Sequence, residues 1–308
     1  MRNRRAQEPP LPTFLGVGAP RTGTTWLHSN LRRHPDIWMT PVKEVHYFDK
    51  RHLHRRDNQF YRSHLRKRMR RYRRLATYRK AIRPGDSGFV RNLRWDAHFF
   101  LPRRDNDWYR GVFRPEPGQI AGEITPAYST MKPRVVKEIR GINPEMRIIY
   151  LLRDPIERSW SSALMSLSKR AGRPPESITN EELMMHFESA GHTLRSNYLR
   201  TLDNWEGVFG PDQVFVGFLD EIQNDPRDLL LRIYEFLGVT ADASHIPAAV
   251  STKVNTSPRT KSAIPEQYRS HLARMYLPQL EELSERFGEP ATGWLRRAEE
   301  SISSSTSV

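Results

Sequence analysis

Two rhythms of apolar and polar residues run along this chain. Short runs rich in apolar residues recur at about 13–18, 119–124, 147–152 and 213–219, the third of them almost wholly apolar. Each is too short for a buried helix and has the length of a strand covered on both faces. Between them, apolar residues return every three or four positions. Ile156, Trp160, Ala163, Leu164 and Leu167 share one helical face behind Pro155, which suits a helix start. Glu157, Arg158 and Ser161 fall off that face, which leaves Ser161 free to meet a ligand. Leu194, Tyr198, Leu202, Trp205 and Phe209 mark a second helix, stopped by Gly210-Pro211. Leu229, Leu230, Ile233, Phe236 and Leu237 mark a third, with Gly238 as its C-cap. A helix is also predicted from Thr24 to about Arg33, a short one from Pro133, and a last one over about 265–287. Strands alternating with helices predict an α/β fold with a central parallel sheet flanked by helices.

Elsewhere the pattern is weaker. Residues 43–48 read as an extended segment, and 51–80 are helix-compatible. Residues 83–118, rich in Pro, Gly, Asp and Asn, read as irregular. Trp95, Phe99, Phe100, Trp108 and Tyr109 crowd that region. They either line an acceptor cleft or pin a long loop to the core. The predicted organisation is a disordered basic tail over 1–12, one domain over 13–295 with a basic, irregular insertion at about 50–118, and a disordered tail over 296–308.

Composition narrows the class. With 308 residues, 37% of them hydrophobic, the chain can bury a sizeable core. There is no apolar run of membrane-spanning length, and no apolar stretch follows the basic N-terminus as in a signal peptide. The absence of cysteine excludes disulfides and thiolate chemistry, and a cytoplasmic protein is expected. No H-x-x-x-H or H-E-x-x-H pattern occurs, so no metal site is expected. The net charge of +15 is local. Residues 51–80 hold thirteen Lys or Arg against Asp57 alone, a balance of +12 that leaves +3 for the rest. A nucleic-acid-binding module is therefore a minor alternative.

The chemistry gathers in two strand–loop–helix segments, Phe14-Leu-Gly-Val-Gly-Ala-Pro-Arg-Thr-Gly-Thr-Thr-Trp26 and Arg147-Ile-Ile-Tyr-Leu-Leu-Arg-Asp-Pro-Ile-Glu-Arg-Ser-Trp-Ser161. Gly18 and Gly23 have P-loop spacing, and Thr25 holds the final hydroxyl position. Thr24 replaces the lysine that reaches the β/γ-phosphates. What remains is an anion cradle of backbone N–H groups at a helix N-terminus. A nucleotide-dependent kinase or NTPase is disfavoured by Thr24 and by the lack of an apolar strand ending in a Mg²⁺-binding Asp. Asp154 suits an N-cap, and Arg158 has Glu157 or Asp154 as its candidate ion-pair partner.

Together these segments resemble the sulfotransferases that use 3′-phosphoadenosine 5′-phosphosulfate (PAPS). Pro20-Arg-Thr-Gly-Thr-Thr-Trp26 looks like that family's 5′-phosphosulfate loop. Arg153 with Ser161 looks like its 3′-phosphate site. Lys43-Glu-Val-His-Tyr-Phe-Asp49 and Gly122-Glu-Ile-Thr-Pro-Ala-Tyr128 are similar to the heparan sulfate O-sulfotransferase branch and its bacterial relatives. Arg21 stands where the family usually has lysine, Ile124 where many of that branch have a second lysine, and Leu219 where an aromatic often lines the adenine pocket. The resemblance implies a P-loop-like three-layer fold and PAPS as donor, with 3′,5′-ADP as product. It implies a hydroxyl of a sugar or other small molecule as acceptor. Arg21, Thr22, Gly23, Thr24, Thr25 and Trp26 would hold the phosphosulfate, with Arg21 stabilising charge. Arg153 and Ser161 would hold the 3′-phosphate, and Arg259 and Lys261 belong to a late basic loop over the nucleotide. Glu44 would be the general base. His46, with the more suitable ordinary pKa, is the rival base or the partner that orients Glu44.

Overall fold

The computed structural model describes residues 11–50, 62–63, 65–70, 87–251 and 263–306. Five strands, β1 (Phe14–Gly18), β2 (Ile37–Met39), β3 (Ile120–Ile124), β4 (Arg147–Leu152) and β5 (Val214–Phe218), form one parallel sheet in the order β2-β3-β1-β4-β5. Phe14 pairs with Gly122 on one side and Arg147 on the other, so β1 lies at the centre. Period-two alternation divides its side chains between two cores. Leu15, Val17, Ile148, Tyr150 and Leu152 face one apolar layer, whereas Phe14, Ile124, Ile149 and Leu151 face the other. Helices cover both layers, as the apolar runs predict. Chain direction reverses its progress across the sheet beside β1, and the carboxyl ends there are where α/β sheets bind ligands.

The helices α1 (Thr24–Leu31), α2 (Ser87–Phe100) and α3 (Asn106–Gly111) precede β3. The last two are a correction, because residues 83–118 read as irregular in sequence. Trp95, Phe99, Trp108 and Tyr109 are buried, with Trp95 stacked on Phe99 at 4.8 Å. The Trp95 indole donates to the Val112 carbonyl and the Trp108 indole to that of His98. These aromatics pin the insertion to the core. Within the basic run only 62–63 and 65–70 are described, and they are helical. Arg68 is drawn in against Asp96 of α2, its Nε 2.9 and 3.0 Å from the two carboxylate oxygens. Arg66, Lys67 and Arg70 are exposed.

The C-terminus is a second correction. Helix α11 (Glu266–Phe287) is followed by α12 (Ala291–Thr306), which occupies most of the stretch expected to be disordered. Ala291, Trp294, Ala298 and Ser301 recur at helical spacing and are buried. Their mostly small side chains let the two helices pack closely, and Ser301 Oγ bonds Glu266 and Ser270 of α11. A Ser-rich composition conceals this face because Ser303 and Ser304 donate back to carbonyls one turn earlier. Between β4 and α11 lie α5 (Pro155–Ala171), α7 (Ala190–Ser196) and α8 (Tyr198–Phe209). Leu194 belongs to α7, separated from α8 by Asn197, whose side chain caps Arg200 N.

Candidate active site

The loop after β1 turns into α1 at Gly23, which has φ 93°. A Cβ there would lie 2.5 Å from Ile222 Cδ1, the end of a side chain that could move aside, so the left-handed conformation is what favours glycine. No side chain caps α1, which leaves its first N–H groups, starting at Thr24, aimed at the loop. Thr22 is buried and its hydroxyl donates to the Ala19 carbonyl at 2.7 Å. Trp26 is buried too, its indole donating to Val250 O. Both side chains therefore shape the loop from within, and its outer face is left to the backbone, Thr25 and Arg21.

Arg21 links the two segments singled out in sequence. Its Nε and Nη2 lie 2.9 and 2.8 Å from Ser161 Oγ on α5, and its Nη1 is 3.4 Å from Met165 Sδ. Burial, and then the nearby charge of Arg153, lower the Arg21 pKa from its ordinary value. Arg153, at the end of β4, reaches the Arg21 carbonyl at 3.5 Å and Glu157 at 3.4 Å. Glu157 also pairs with Arg269 of α11. Two guanidinium groups thus stand side by side at the carboxyl ends of β1 and β4, Arg21 on the Ser161 hydroxyl and Arg153 on the Arg21 carbonyl, an arrangement suited to an anion. Asp154 caps α5 as read from sequence, accepting from Ile156 N and Glu157 N, and its other oxygen pairs with Arg297. Arg158 departs from the sequence reading. It is fully buried and bonds Ser196 and His192 instead of Glu157 or Asp154. Ser161 is also buried rather than free, because Arg21 occupies its hydroxyl.

The segment 43–48 is not extended. Glu44 and His46 have φ 67° and 53°, left-handed conformations that cost about 1–3 kcal/mol each for such residues. The two still meet, at 3.2 Å between Glu44 Oε2 and His46 Nε2. On the far side of the ring, Nδ1 lies 2.6 Å from Asp49 Oδ2. Lys43 Nζ stands between Glu44 Oε1 at 3.1 Å and Thr25 Oγ1 at 3.2 Å, which joins this segment to the anion loop. Burial alone would raise the Glu44 carboxyl, but the His46 hydrogen bond and Lys43 hold it at about 2. Burial would lower His46, but its bonds to Asp49 and Glu44 win and raise it above 6.5. In its protonated form, which the raised pKa favours, the ring donates from both nitrogens to carboxylates and has no lone pair to accept a proton. This favours Glu44 over His46 as base.

Lys43, Asp49, Glu123 and Arg104 were missed as site residues. Lys43 and Asp49 sit inside the quoted motif, and their charge beside Glu44 and His46 was the available signal. Glu123 carried only the signal of a lone acid in an apolar strand. Arg104 carried none. Arg259 and Lys261 lie outside the described residues. Among the described residues no three His, Cys, Asp or Glu side chains are placed to hold a metal, and no helix is long and apolar enough to cross a membrane.

Comparison with known proteins agrees with this architecture. The chain is 30% identical over 155 residues to heparan sulfate glucosamine 3-O-sulfotransferase 6 of Mus musculus, covering 49% of this chain and 45% of that protein. It is 29% identical over 160 residues to heparan sulfate glucosamine 3-O-sulfotransferase 3B1 of Homo sapiens, covering 49% and 40%. The matched region thus spans less than half the length of these curated relatives. A crystal structure of a sulfotransferase from Alicyclobacillus acidocaldarius shares the fold with a TM-score of 0.59 at 24% identity, over 92% of this chain and 98% of that one. A family model, Sulfotransferase family, matches residues 12–243. The chain belongs to the sulfotransferase family.

Proposed function

We propose that this protein transfers a sulfuryl group from PAPS to a hydroxyl on a sugar or other small-molecule acceptor, releasing 3′,5′-ADP. The carrying observation is the meeting of Arg21, Arg153 and Ser161 beside an uncapped helix N-terminus, with Lys43 bridging that loop to Glu44. The donor has two separated anionic ends, and two loops at the carboxyl ends of β1 and β4 offer positive charge and donors to match. Bound there, PAPS supplies the activated sulfuryl group. Arg153 and Ser161 hold the 3′-phosphate. The first N–H groups of α1 hold the 5′ end. Arg21 and Lys43 stabilise the charge that develops on the leaving phosphate, a task Arg performs without giving up a proton. Glu44 accepts the proton of the attacking hydroxyl in an in-line displacement.

Lys43 also bears on the strength of that base. In the free protein it ion-pairs Glu44. An anion beside Thr25 competes for the same ammonium, and a Glu44 released from it becomes a stronger base. Donor binding and base activation are thereby coupled.

An anionic acceptor, such as a glycan already bearing sulfate or carboxylate, fits the exposed Arg66, Lys67 and Arg70. Their helical stretch is tied by Arg68 to Asp96 on α2. Phe99 of that helix packs on Trp108, and Trp108 on Tyr47 of the base segment. The named relatives act on heparan sulfate glucosamine, which is of this class. Incubation with PAPS and a panel of neutral and anionic glycans, read by mass spectrometry, tests the proposal. It predicts one added sulfate on a hydroxyl and equimolar 3′,5′-ADP. Hydrolysis of ATP or GTP with no sulfate transfer to any acceptor would overturn it.

A further inference from the structure

Glu123 lies near the carboxyl end of β3, between β2 and the central β1, with no exposed surface. A parallel strand covered on both faces ordinarily fills such a position with an apolar residue. Here four donors converge on one carboxylate. Its Oε1 accepts from the hydroxyls of Tyr109 at 2.9 Å and Tyr128 at 3.1 Å. Its Oε2 accepts from Thr125 Oγ1 at 2.6 Å and from the backbone N–H of Val45 at 3.0 Å. Val45 separates Glu44 from His46. Tyr128, donating to Glu123, also accepts the N–H of Tyr47 at 3.0 Å, on the other side of His46. From outside, Arg104 Nη2 donates to the carbonyls of Val45 and His46 at 2.8 and 3.0 Å. The two left-handed residues of the candidate base segment are thus held at alternate peptide groups, from the core by Glu123 and Tyr128 and from the insertion by Arg104.

We propose that Glu123 is a positioning residue for Glu44, acting with Tyr128 as a buried strut that fixes the backbone on which Glu44 and His46 meet. This rests on the reading of Glu44 as the base. The donor set suits the ionised carboxylate, an acceptor at both oxygens. Burial raises the Glu123 pKa, and its hydrogen bonds from Thr125, Tyr109, Val45 and Tyr128 offset only part of that rise. Burial, and then the charge of Glu123, push both phenols well above their ordinary value, so they stay donors. The network joins groups distant in sequence. It explains how a segment without regular secondary structure keeps two unfavourable backbone conformations.

Tyr109 provides an internal control. Its hydroxyl bonds the same Glu123 oxygen as Tyr128 but holds no backbone group of the base segment. A purely structural network makes Tyr109→Phe and Tyr128→Phe equivalent, whereas a strut makes them different. In purified full-length protein we expect Tyr128→Phe to lower kcat about 10- to 100-fold, the range for a catalytic group displaced by about an ångström. Affinity for 3′,5′-ADP, by calorimetry, should stay at the wild-type value. The acid limb of the kcat–pH profile should move upward toward 4.5. Lys43 and His46 on its own segment and His28 of α1 face Glu44, while Asp49 and Lys50 act on His46, and a loosened backbone weakens the His46 and Lys43 contacts first. Tyr109→Phe should stay within about twofold of wild type in kcat, with an unshifted limb. Glu123→Gln, checked for folding by its thermal transition, should behave as Tyr128→Phe does. Equal losses in the two tyrosine variants, or a Tyr128→Phe enzyme with wild-type kcat and limb, would overturn the strut. An inactive Glu44→Gln beside a fully active Tyr128→Phe would overturn the strut alone. A fully active Glu44→Gln would remove the base reading and the strut with it.

Discussion

The two loops proposed to bind anions and the segment proposed to carry the base are built by different means. The loops at 18–26 and 153–161 take much of their shape from their own sequence, although Arg21, at φ 76°, is also held by Ser161 and Trp26 by the Val250 carbonyl. A strand ends, Gly23 turns with φ 93°, a helix begins without a cap, and Asp154 caps the helix after β4. The base segment at 43–49 has no regular structure. It takes its shape from Glu123 and Tyr128 about 80 residues away and from Arg104 about 60 residues away. Locally encoded geometry survives substitution of distant residues, whereas geometry imposed from outside does not. Substitutions in the two regions should accordingly differ in their main effect, donor affinity for the loops and kcat for the base segment, with Lys43 the side chain that links them.

The largest separation is expected at the base. Glu44→Gln keeps the shape and removes proton acceptance, so kcat should fall about 10²–10⁴-fold with 3′,5′-ADP affinity little changed. Steady-state kinetics paired with calorimetry would show this, and parallel loss of kcat and nucleotide affinity would erase the distinction between the regions. The converse experiment is Arg153→Ala. Loss of a charge-assisted contact, about 1.5–3 kcal/mol, should weaken 3′,5′-ADP binding about tenfold or more and AMP binding far less.

The contrast governs what sequence alone could disclose. Four of the five strands, the helix faces and the two strand–loop–helix segments were legible because their determinants are neighbours, whereas the short β2 was not predicted. Leu15 and Val17 alternate, Ile156 and Trp160 repeat at helical spacing, and Gly23 lies next to the helix it starts. The left-handed φ of Glu44 and His46 was not legible, since those residue types favour other conformations and the groups that override them come from β3 and from Arg104. The site of Ser161 was legible but not its partner, because Arg21 crosses from β1 to α5. The last helix was hidden by serines whose composition suggests disorder, yet one of which, Ser301, fills a close helix–helix contact.

The charge chain Lys43–Glu44–His46–Asp49 offers a smaller effect with a definite sign. Glu44 is held at about 2 against an ordinary 4.5, so its stabilisation is complete above 4.5 and lost as pH falls through about 2. His46 is raised above 6.5, so its stabilisation is complete below 6.5 and lost as pH rises through its folded value. The two overlap fully between 4.5 and 6.5. Thermal transitions measured across pH should show His46→Ala destabilising most in that window and less on either side. A flat difference would mean that the contacts carry no charge.

The smallest effect lies farthest from the chemistry. Replacing Arg66, Lys67 and Arg70 with Gln should raise acceptor KM a few-fold at low salt and flatten its salt dependence, leaving 3′,5′-ADP binding intact. Arg68 stays in place because its pairing with Asp96 is part of the fold. Initial rates over a salt series would decide this, and an unchanged KM would remove these cations from acceptor recognition.

The central claim is that two loops recognise two separated anionic ends of one nucleotide without a metal. It is tested most directly by isothermal calorimetry of 3′,5′-ADP, AMP and ATP against the wild-type protein in the presence of a divalent-cation chelator. The account predicts that 3′,5′-ADP binds about tenfold or more tightly than AMP, with ATP weaker than 3′,5′-ADP and no gain from added Mg²⁺. Equal binding of 3′,5′-ADP and AMP, or tight ATP binding that depends on Mg²⁺, would contradict it.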